Sequence, residues 1–410
     1  MMIREKYSTN IKETTLNVVQ TEIESVRKKD ISKTGLRLYK DGFIGVSGAI
    51  GNYDELELQE RAEKTLSLKI PYPHAASRDM KEQVSNCPEI IKDTDFPAEI
   101  EALLSELRQQ QPKFTFFHKI KLVEQQTELK NEQNLDLQYK DRHISIELAI
   151  KEKASANLLD AFTGYQGRVY DRNQFVQMAN DICNAFLNPV EMPKGAKLPA
   201  VYDASHPLPL KKLITDLNGQ LFATGSSLFS GKLNEEIFNT NFSLYQSLHP
   251  EASFQPFFDA EGVVNPGYSY PLIENGRLMA PYTDKKTAAQ FDLPLTGSAA
   301  AEYDSVPSLG YLNFKLKESN KTLKELLGGQ MGIFVLISEG GDFTPNGDFA
   351  TPVQLAFLFD GEKLIGRLPE LQLSSNVFKM FGEDFVGVGK NKLHPLASEK
   401  YMVLNMDISK

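Results

Sequence analysis

Six histidines are the side chains best suited to proton transfer or metal binding near neutral pH: His74, His118, His143, His206, His249 and His394. Their spacing limits them. The two closest in sequence are His118 and His143, so no helix carries a pair of imidazoles one turn apart, as a helical zinc site requires. His143 and Glu147 share one face with Ser145 in the strand-like stretch HISIELAI, where an imidazole and a carboxylate could orient one another for acid–base work. No nucleophile is implied beside them, and a solvated sheet face is the plainer reading. Asp259 and Glu261 flank a turn. Two carboxylates fall short of the roughly six to eight oxygens that calcium takes, and they suit hydrogen bonds to backbone amides instead. Thr224-Gly225-Ser226-Ser227 lacks the spacing of a nucleophile elbow, and Gly328-Gly329 and Gly340-Gly341 lack the Lys-Ser/Thr of a phosphate cradle. Cys87 and Cys183 form neither a CxxC knuckle nor a disulfide framework, and Cys183 reads as a small core residue on an apolar helix face.

The bulk properties narrow the function classes. A formal net charge of -9, with a pI near 5.4, argues against a broad phosphate-binding surface, so no nucleic-acid partner is expected. The longest apolar run, Met331 to Ile337, is too short to span a bilayer, so no membrane partner is expected either. The opening MMIREKYSTNIKETTLNVVQ has no apolar core followed by a small-residue cleavage site. With so few cysteines, a reducing cytoplasm is the expected location. No cofactor is expected.

The elements that must position any site are legible from periodicity. At 410 residues the chain can form two or three cores. Residues 1–70 read as a hairpin–helix region. Leu36 and Leu38 alternate with polar neighbours before an Asp41-Gly42 turn, and a helix follows with Asn52 as cap and Glu55 completing a capping box. Leu56, Ala62 and Leu66 are expected to face inward. Residues 71–198 read as a middle antiparallel sheet with helices. After a broken connector, Ile70 to Phe96, a short helix opens at Pro97. Strands then run over Phe114–Val123, Thr127–Lys130, Leu135–Tyr139 and His143–Ile150, separated by polar turns, before a helix over Asp171–Phe186. Residues 199–410 read as a β-rich domain punctuated by Asn275-Gly276, Asn346-Gly347 and Asp360-Gly361, with helices over Leu210–Leu221 and Ser374–Phe381.

Two stretches of this last region carry a family pattern. One spans Phe257 to Ala299 and contains Asp259, Glu261, Gly262 and Val263, then Leu272, Ile273, Asn275 and Gly276, then Thr287-Ala288, then Thr296-Gly297. The other, Gly332 to Leu364, runs from an apolar strand through a Gly-rich turn to Asn346-Gly347-Asp348-Phe349 and a closing strand. Together with GLRLYKDGFIGVSGA near the start, they resemble the TldD/PmbA family, also called modulators of DNA gyrase.

The resemblance implies an α+β fold: an N-terminal α/β portion with hairpin, helices and antiparallel sheet, joined to a C-terminal mostly antiparallel β domain. The family's active branch is a metallopeptidase whose helix reads His-Glu-x-x-x-His, with neutral imidazoles on zinc and the Glu taking a proton from the bound water. Here no histidine precedes Glu. The segment where the resemblance places that helix reads LKKLITDLNGQL, and GVGKNKLHPL, Gly387 to Leu396, lacks the active branch's Cys. His394 in that stretch could be imagined as a replacement ligand, although a loop histidine before Pro395 is the simpler reading.

The chain thus resembles the PmbA/TldE branch, which lacks the zinc motif. The resemblance implies a non-catalytic subunit that holds unstructured peptide, in extended form, for a TldD-like zinc peptidase partner, with no metal of its own. Asp259, Glu261, Gly262, Asn275, Gly276, Thr296, Gly297, Gly347 and Asp348 are then expected to be structural or peptide-binding. The alternatives are an autonomous homodimeric peptide- or protein-binding module, dimerisation being typical of the family, and a hydrolase with relocated groups such as His143 or His394.

Overall fold

Strand length follows from what covers each face of the sheet. A computed structural model of the chain describes residues 2–397 and 400–409. It begins with β1 (Ile3–Val19), β2 (Glu22–Lys40) and β3 (Phe43–Ile50), then α1 (Glu55–Leu66), β4 (Ile70–Pro71), β5 (Met80–Asn86) and α2 (Phe96–Gln110). Two 18-residue strands follow, β6 (Phe114–Asn131) and β7 (Leu135–Glu152), then β8 (Ala161–Gly167) and α3 (Arg172–Phe186).

The polar stretches expected to be turns inside β6 and β7 are paired strand. Leu135, Leu137, Tyr139, Asp141 and His143 are buried in the first half of β7, whereas Ile144, Ile146, Leu148 and Ile150 are buried in the second half. The register with β6 does not shift between them. Opposite faces of one strand are therefore covered at its two ends, and the change of phase in the sequence imitates a turn. Phe257 and Phe258 cover the first half, and α2 and α3 the second. These strands form an eight-stranded sheet in the order β4-β3-β2-β1-β6-β7-β5, with β8 also on β7. β5 lies parallel to β7, inside the stretch expected to be only a connector.

The remainder is β-rich. β9 (Lys197–Asp203), α4 (Pro207–Asp216) and α5 (Gly219–Ala223) lead to β10 (Leu244–Ser247), β11 (Ser269–Glu274), β12 (Arg277–Leu278) and α6 (Lys285–Phe291). Next come β13 (Ala299–Ala300), β14 (Ser308–Leu309), β15 (Phe314–Leu316), α7 (Leu323–Leu327), β16 (Gly332–Ile337), β17 (Asp342–Phe343) and β18 (Asp348–Val353). The chain closes through β19 (Leu355–Phe359), β20 (Leu364–Arg367), β21 (Leu371–Asn376), α8 (Val377–Met380), β22 (Phe385–Val388) and β23 (Tyr401–Ser409). A nine-stranded sheet runs β17-β18-β21-β23-β9-β16-β19-β20 with β22 on β23, and among the described residues its only parallel pair is β9 with β16. The expected α+β class holds.

Local expectations shift where side chains compete for a cap. Asp54, not Asn52, caps α1 by accepting from the amides of Leu56 and Glu57, so Leu58 and Ala62 face inward and Leu56 is exposed. The helix expected over Leu210–Leu221 breaks in two because the Asn218 side chain caps α5. Ser374–Asn376 belong to β21, leaving only one helical turn in α8.

The two portions meet closely at Gly35 of β2. A Cβ there would lie 1.7 Å from the carbonyl oxygen of Tyr303, so backbone would have to move. Gly35→Ala is expected to cost about 2 kcal/mol or more, read as a lower Tm in thermal unfolding. An unchanged Tm would show that this contact is not tight.

Candidate functional site

A groove of about 860 Å³ takes its floor and wall from β16 and α4. β16 pairs with β9 only through Ile333 and Phe334, opposite Ala200 and Val201, and after Asp203 the chain turns away into α4. Its other side pairs with β19, and the register shifts between Val335 and Ile337, leaving Leu336 as an extra residue. The bulge re-aims the strand end so that Leu336, Ile337 and Ser338 all line the groove. α4 turns Leu210, Leu213 and, at its C-cap, Leu217 into the core and presents Leu208, Lys211, Ile214 and Thr215 to the groove. Tyr282 and Tyr311, each against Phe314 at 5.4 and 5.0 Å, form the far wall, and Leu159 and Phe162 of the N-terminal portion close one end.

The groove is nearly uncharged. Lys211 pairs with Asp342 at 2.9 Å on the surface, and Glu339 is the only acid among the described residues of the wall. His206 caps α4, its Nδ1 accepting from the Leu208 amide at 3.2 Å, and burial pushes its imidazole below the usual histidine range. Pro207 and Pro209 remove amide donors from the first turn of α4, so this helix end is poor at holding an anion. Ser338 has a buried hydroxyl with no partner among the described residues.

A zinc ion does not fit this donor set. The groove-facing positions of α4 offer a leucine, a lysine, an isoleucine and a threonine, none of which supplies the imidazole, thiolate or carboxylate that zinc takes. Among the described residues no three of His, Cys, Asp and Glu are grouped closely enough to hold a metal ion. His206 and His394 do line one smaller pocket beside the groove, with Asp203. His394 stands 3.7 Å from Asp181, and burial lowers its affinity for a proton.

The signature residues lie elsewhere. Asp259 is buried, with Oδ1 accepting from the amides of Glu261 and Val263 (2.9 and 2.8 Å) and Oδ2 from that of Ala299 (3.0 Å). Burial, then the charge of Glu261, push its carboxyl up to about 7 against those amides. Glu261 accepts from the Tyr72 hydroxyl at 2.5 Å and the Lys285 amide at 2.9 Å, and Gly262 packs beside Leu129 and Leu135, so this turn is a joint between the two portions. Thr296 accepts from the Thr283 amide at 2.8 Å, and the Gly297 carbonyl accepts from Gln246 at 2.6 Å. Asn275 and Gly276 make the β11–β12 turn with φ of 49° and 79°, where only a residue at ease in the left-handed region fits. Gly347 packs on Val377, and Asp348 accepts from Asn376 at 2.9 Å. None of these residues lines the groove.

Other candidates are separated by the fold. His143 faces Asp141 at 2.7 Å rather than Glu147, and Asp141 also accepts from Arg168 at 2.6 Å. Glu147 instead stands 3.4 Å from His118. Ser227 is buried and donates to the Asp216 carbonyl. Only part of the groove lining was legible in the sequence: the resemblance placed the helix at LKKLITDLNGQL and Gly340-Gly341 drew notice, whereas Leu159, Phe162 and Tyr311 are isolated apolar residues in irregular or short segments.

Comparison with known proteins places the chain. Residues 204–404 match the family described as the PmbA/TldA metallopeptidase C-terminal domain. An uncharacterized protein of Methanocaldococcus jannaschii is 24% identical over 262 residues, a match that spans 62% of this chain and 59% of that protein. TldE from Thermococcus kodakarensis superposes with a TM-score of 0.81 at 20% identity, covering 100% of this chain and 97% of that one. A protein of Thermotoga maritima described as a modulator of DNA gyrase gives a TM-score of 0.80 at 16% identity, covering 100% and 96%. Residues 204–404 thus carry the pattern of the PmbA/TldA metallopeptidase C-terminal domain, and the chain has over its whole length the fold of TldE and of that modulator of DNA gyrase.

Proposed function

We propose that this protein is a non-catalytic TldE-like subunit that binds unstructured peptide in extended form and positions it for a TldD-type zinc peptidase. The observation that carries the reading is the groove: a strand end unpaired by β9, beside a helix whose exposed face bears no metal donor. Peptide laid along Leu336 to Glu339 would extend the sheet by main-chain hydrogen bonds, which give affinity with little sequence preference. The apolar walls would take side chains alternately. Among the described residues no helix is long and apolar enough to cross a membrane. A cytoplasmic site of action is part of the proposal.

The test is reconstitution with a TldD-type partner and an unstructured peptide. The chain is expected to associate with the partner and to raise cleavage. Ile214→Asp places a charge on the apolar wall at a partly exposed position, and peptide affinity is expected to fall about ten-fold or more with stability little changed. Cleavage that is indifferent to the chain, or to Ile214→Asp, would refute the reading. Self-association with peptide binding but no effect on any such partner would favour the autonomous homodimeric module instead.

A further inference from the structure

Beside the groove, and sharing Phe162, His206 and Leu336 with it, lies a second pocket of about 150 Å³. Met178 and Ile182 of α3, Phe334 of β16, Leu364 of β20 and Leu393 furnish its apolar wall. Its two imidazoles, His206 and His394, are both held toward the neutral form by burial. Its one acid, Asp203, already accepts from the amide and hydroxyl of Ser205 at 2.8 and 2.6 Å. Thr163 also lines it, and its hydroxyl is buried with no partner among the described residues.

We infer that this pocket is a specificity site that receives one bulky uncharged side chain, of phenylalanine or leucine size, from the peptide lying in the groove. The inference deepens the peptide-binding reading and rests on it. Size decides the class. An apolar cavity of about 150 Å³ holds a benzene-sized group, so a phenyl ring or a branched aliphatic chain fills it. Chemistry excludes the rest. A carboxylate entering would meet neutral imidazoles and apolar carbon with no cation in the wall, and an ammonium group would have to draw Asp203 from Ser205. The position is also apt: Leu336, the extra residue of the bulge, lines both the pocket and the groove along which an added strand would lie. The chain is therefore selective at one position and tolerant along the others.

The experiment uses the full chain and labelled short unstructured peptides that share one apolar host sequence and differ at a single guest position, read by fluorescence anisotropy. Phe, Leu and Met guests are expected to bind about ten-fold or more tighter than Ala, Asp or Lys guests. Ala397→Phe, which fills the pocket from its loop side, is expected to erase that preference while leaving the weaker guests unchanged. His394→Ala, which enlarges the pocket, is expected to shift the optimum toward Trp, a change of rank order that misfolding cannot imitate. If every guest binds alike, the specificity site is wrong and the groove reading stands. If the preference survives both variants, the selection lies elsewhere and the inference is wrong. If no peptide binds at all, both readings fall.

Discussion

Asp259→Ala is expected to destabilise the protein by about 3 kcal/mol at mildly acid pH and by less above neutrality. The first part follows from hydrogen bonding. Three buried amides, those of Glu261, Val263 and Ala299, lose their acceptor. A buried donor left without a partner costs about 1–3 kcal/mol, and partial relaxation of the turn reduces the sum. The second part follows from charge. The Asp259 carboxyl is pushed up to about 7, chiefly by burial, from an ordinary value of 3.8. A folded-state value raised above the unfolded one gives stability that is fully present below the unfolded value and is lost as pH rises through the folded value. The window thus runs from about pH 4 to about pH 7, with a slope of up to about 1.4 kcal/mol per pH unit. Removing the residue removes that slope along with the bonds, so the gap between wild type and variant narrows as pH rises. Urea unfolding of both proteins on either side of the window measures it. A gap independent of pH would mean that the three amides hold Asp259 ionised throughout.

The same residue shows what the sequence could and could not convey. Asp259 and Glu261 were legible as a turn fixed by hydrogen bonds to amides, because a short carboxylate two residues before another backbone donor is a local device. That Glu261 reaches Tyr72, and so joins the two portions of the molecule, is a contact across 189 residues that no local pattern encodes. Glycine-bearing turns were readable for the same reason: Asn275-Gly276 and Asp360-Gly361 each connect paired strands. β6 and β7 were not, since periodicity reports which face is covered, and the covering layer changes midway along them. Lys140-Asp141-Arg142 looked like a loop because its charges had no visible partners, yet Asp141 is fully buried against Arg168 and His143. The family pattern pointed to the correct fold. The groove was marked only by its helix and its Gly-Gly turn, because its other walls are single apolar residues drawn from both portions of the chain.

A larger effect is expected at the other contact between the two portions. Arg37 of β2 is fully buried, with its Nη1 donating to the Glu5 carboxylate at 3.2 Å and to the Ala260 carbonyl at 2.5 Å. Its Nε and second terminal nitrogen have no partner among the described residues. Glu5 is nearly as buried and also accepts from the Tyr39 hydroxyl at 2.8 Å and from Asn131 at 3.1 Å. Glu5→Ala therefore leaves the Arg37 charge unpaired and the Tyr39 hydroxyl without its acceptor, Asn131 keeping the Ser77 carbonyl at 2.8 Å, and should cost about 3–5 kcal/mol, the range for breaking a buried pair from one side. Glu5→Gln removes the charge and keeps one acceptor oxygen where Glu5 uses two, so it can still accept from Tyr39 or from Asn131 but not from both in the present geometry, and it should fall between wild type and Glu5→Ala. The combined Glu5→Leu, Arg37→Met and Tyr39→Phe variant removes both charges and the phenol together, leaving chiefly the Ala260 carbonyl unsatisfied. It should be more stable than Glu5→Ala despite carrying more substitutions, because desolvating an unpaired guanidinium outweighs the loss of the pair itself. Urea midpoints for the three variants rank them directly. If the combined variant is the least stable, the ion pair contributes net stability rather than merely neutralising a buried charge, and the joint between the two portions is held by electrostatics rather than by packing.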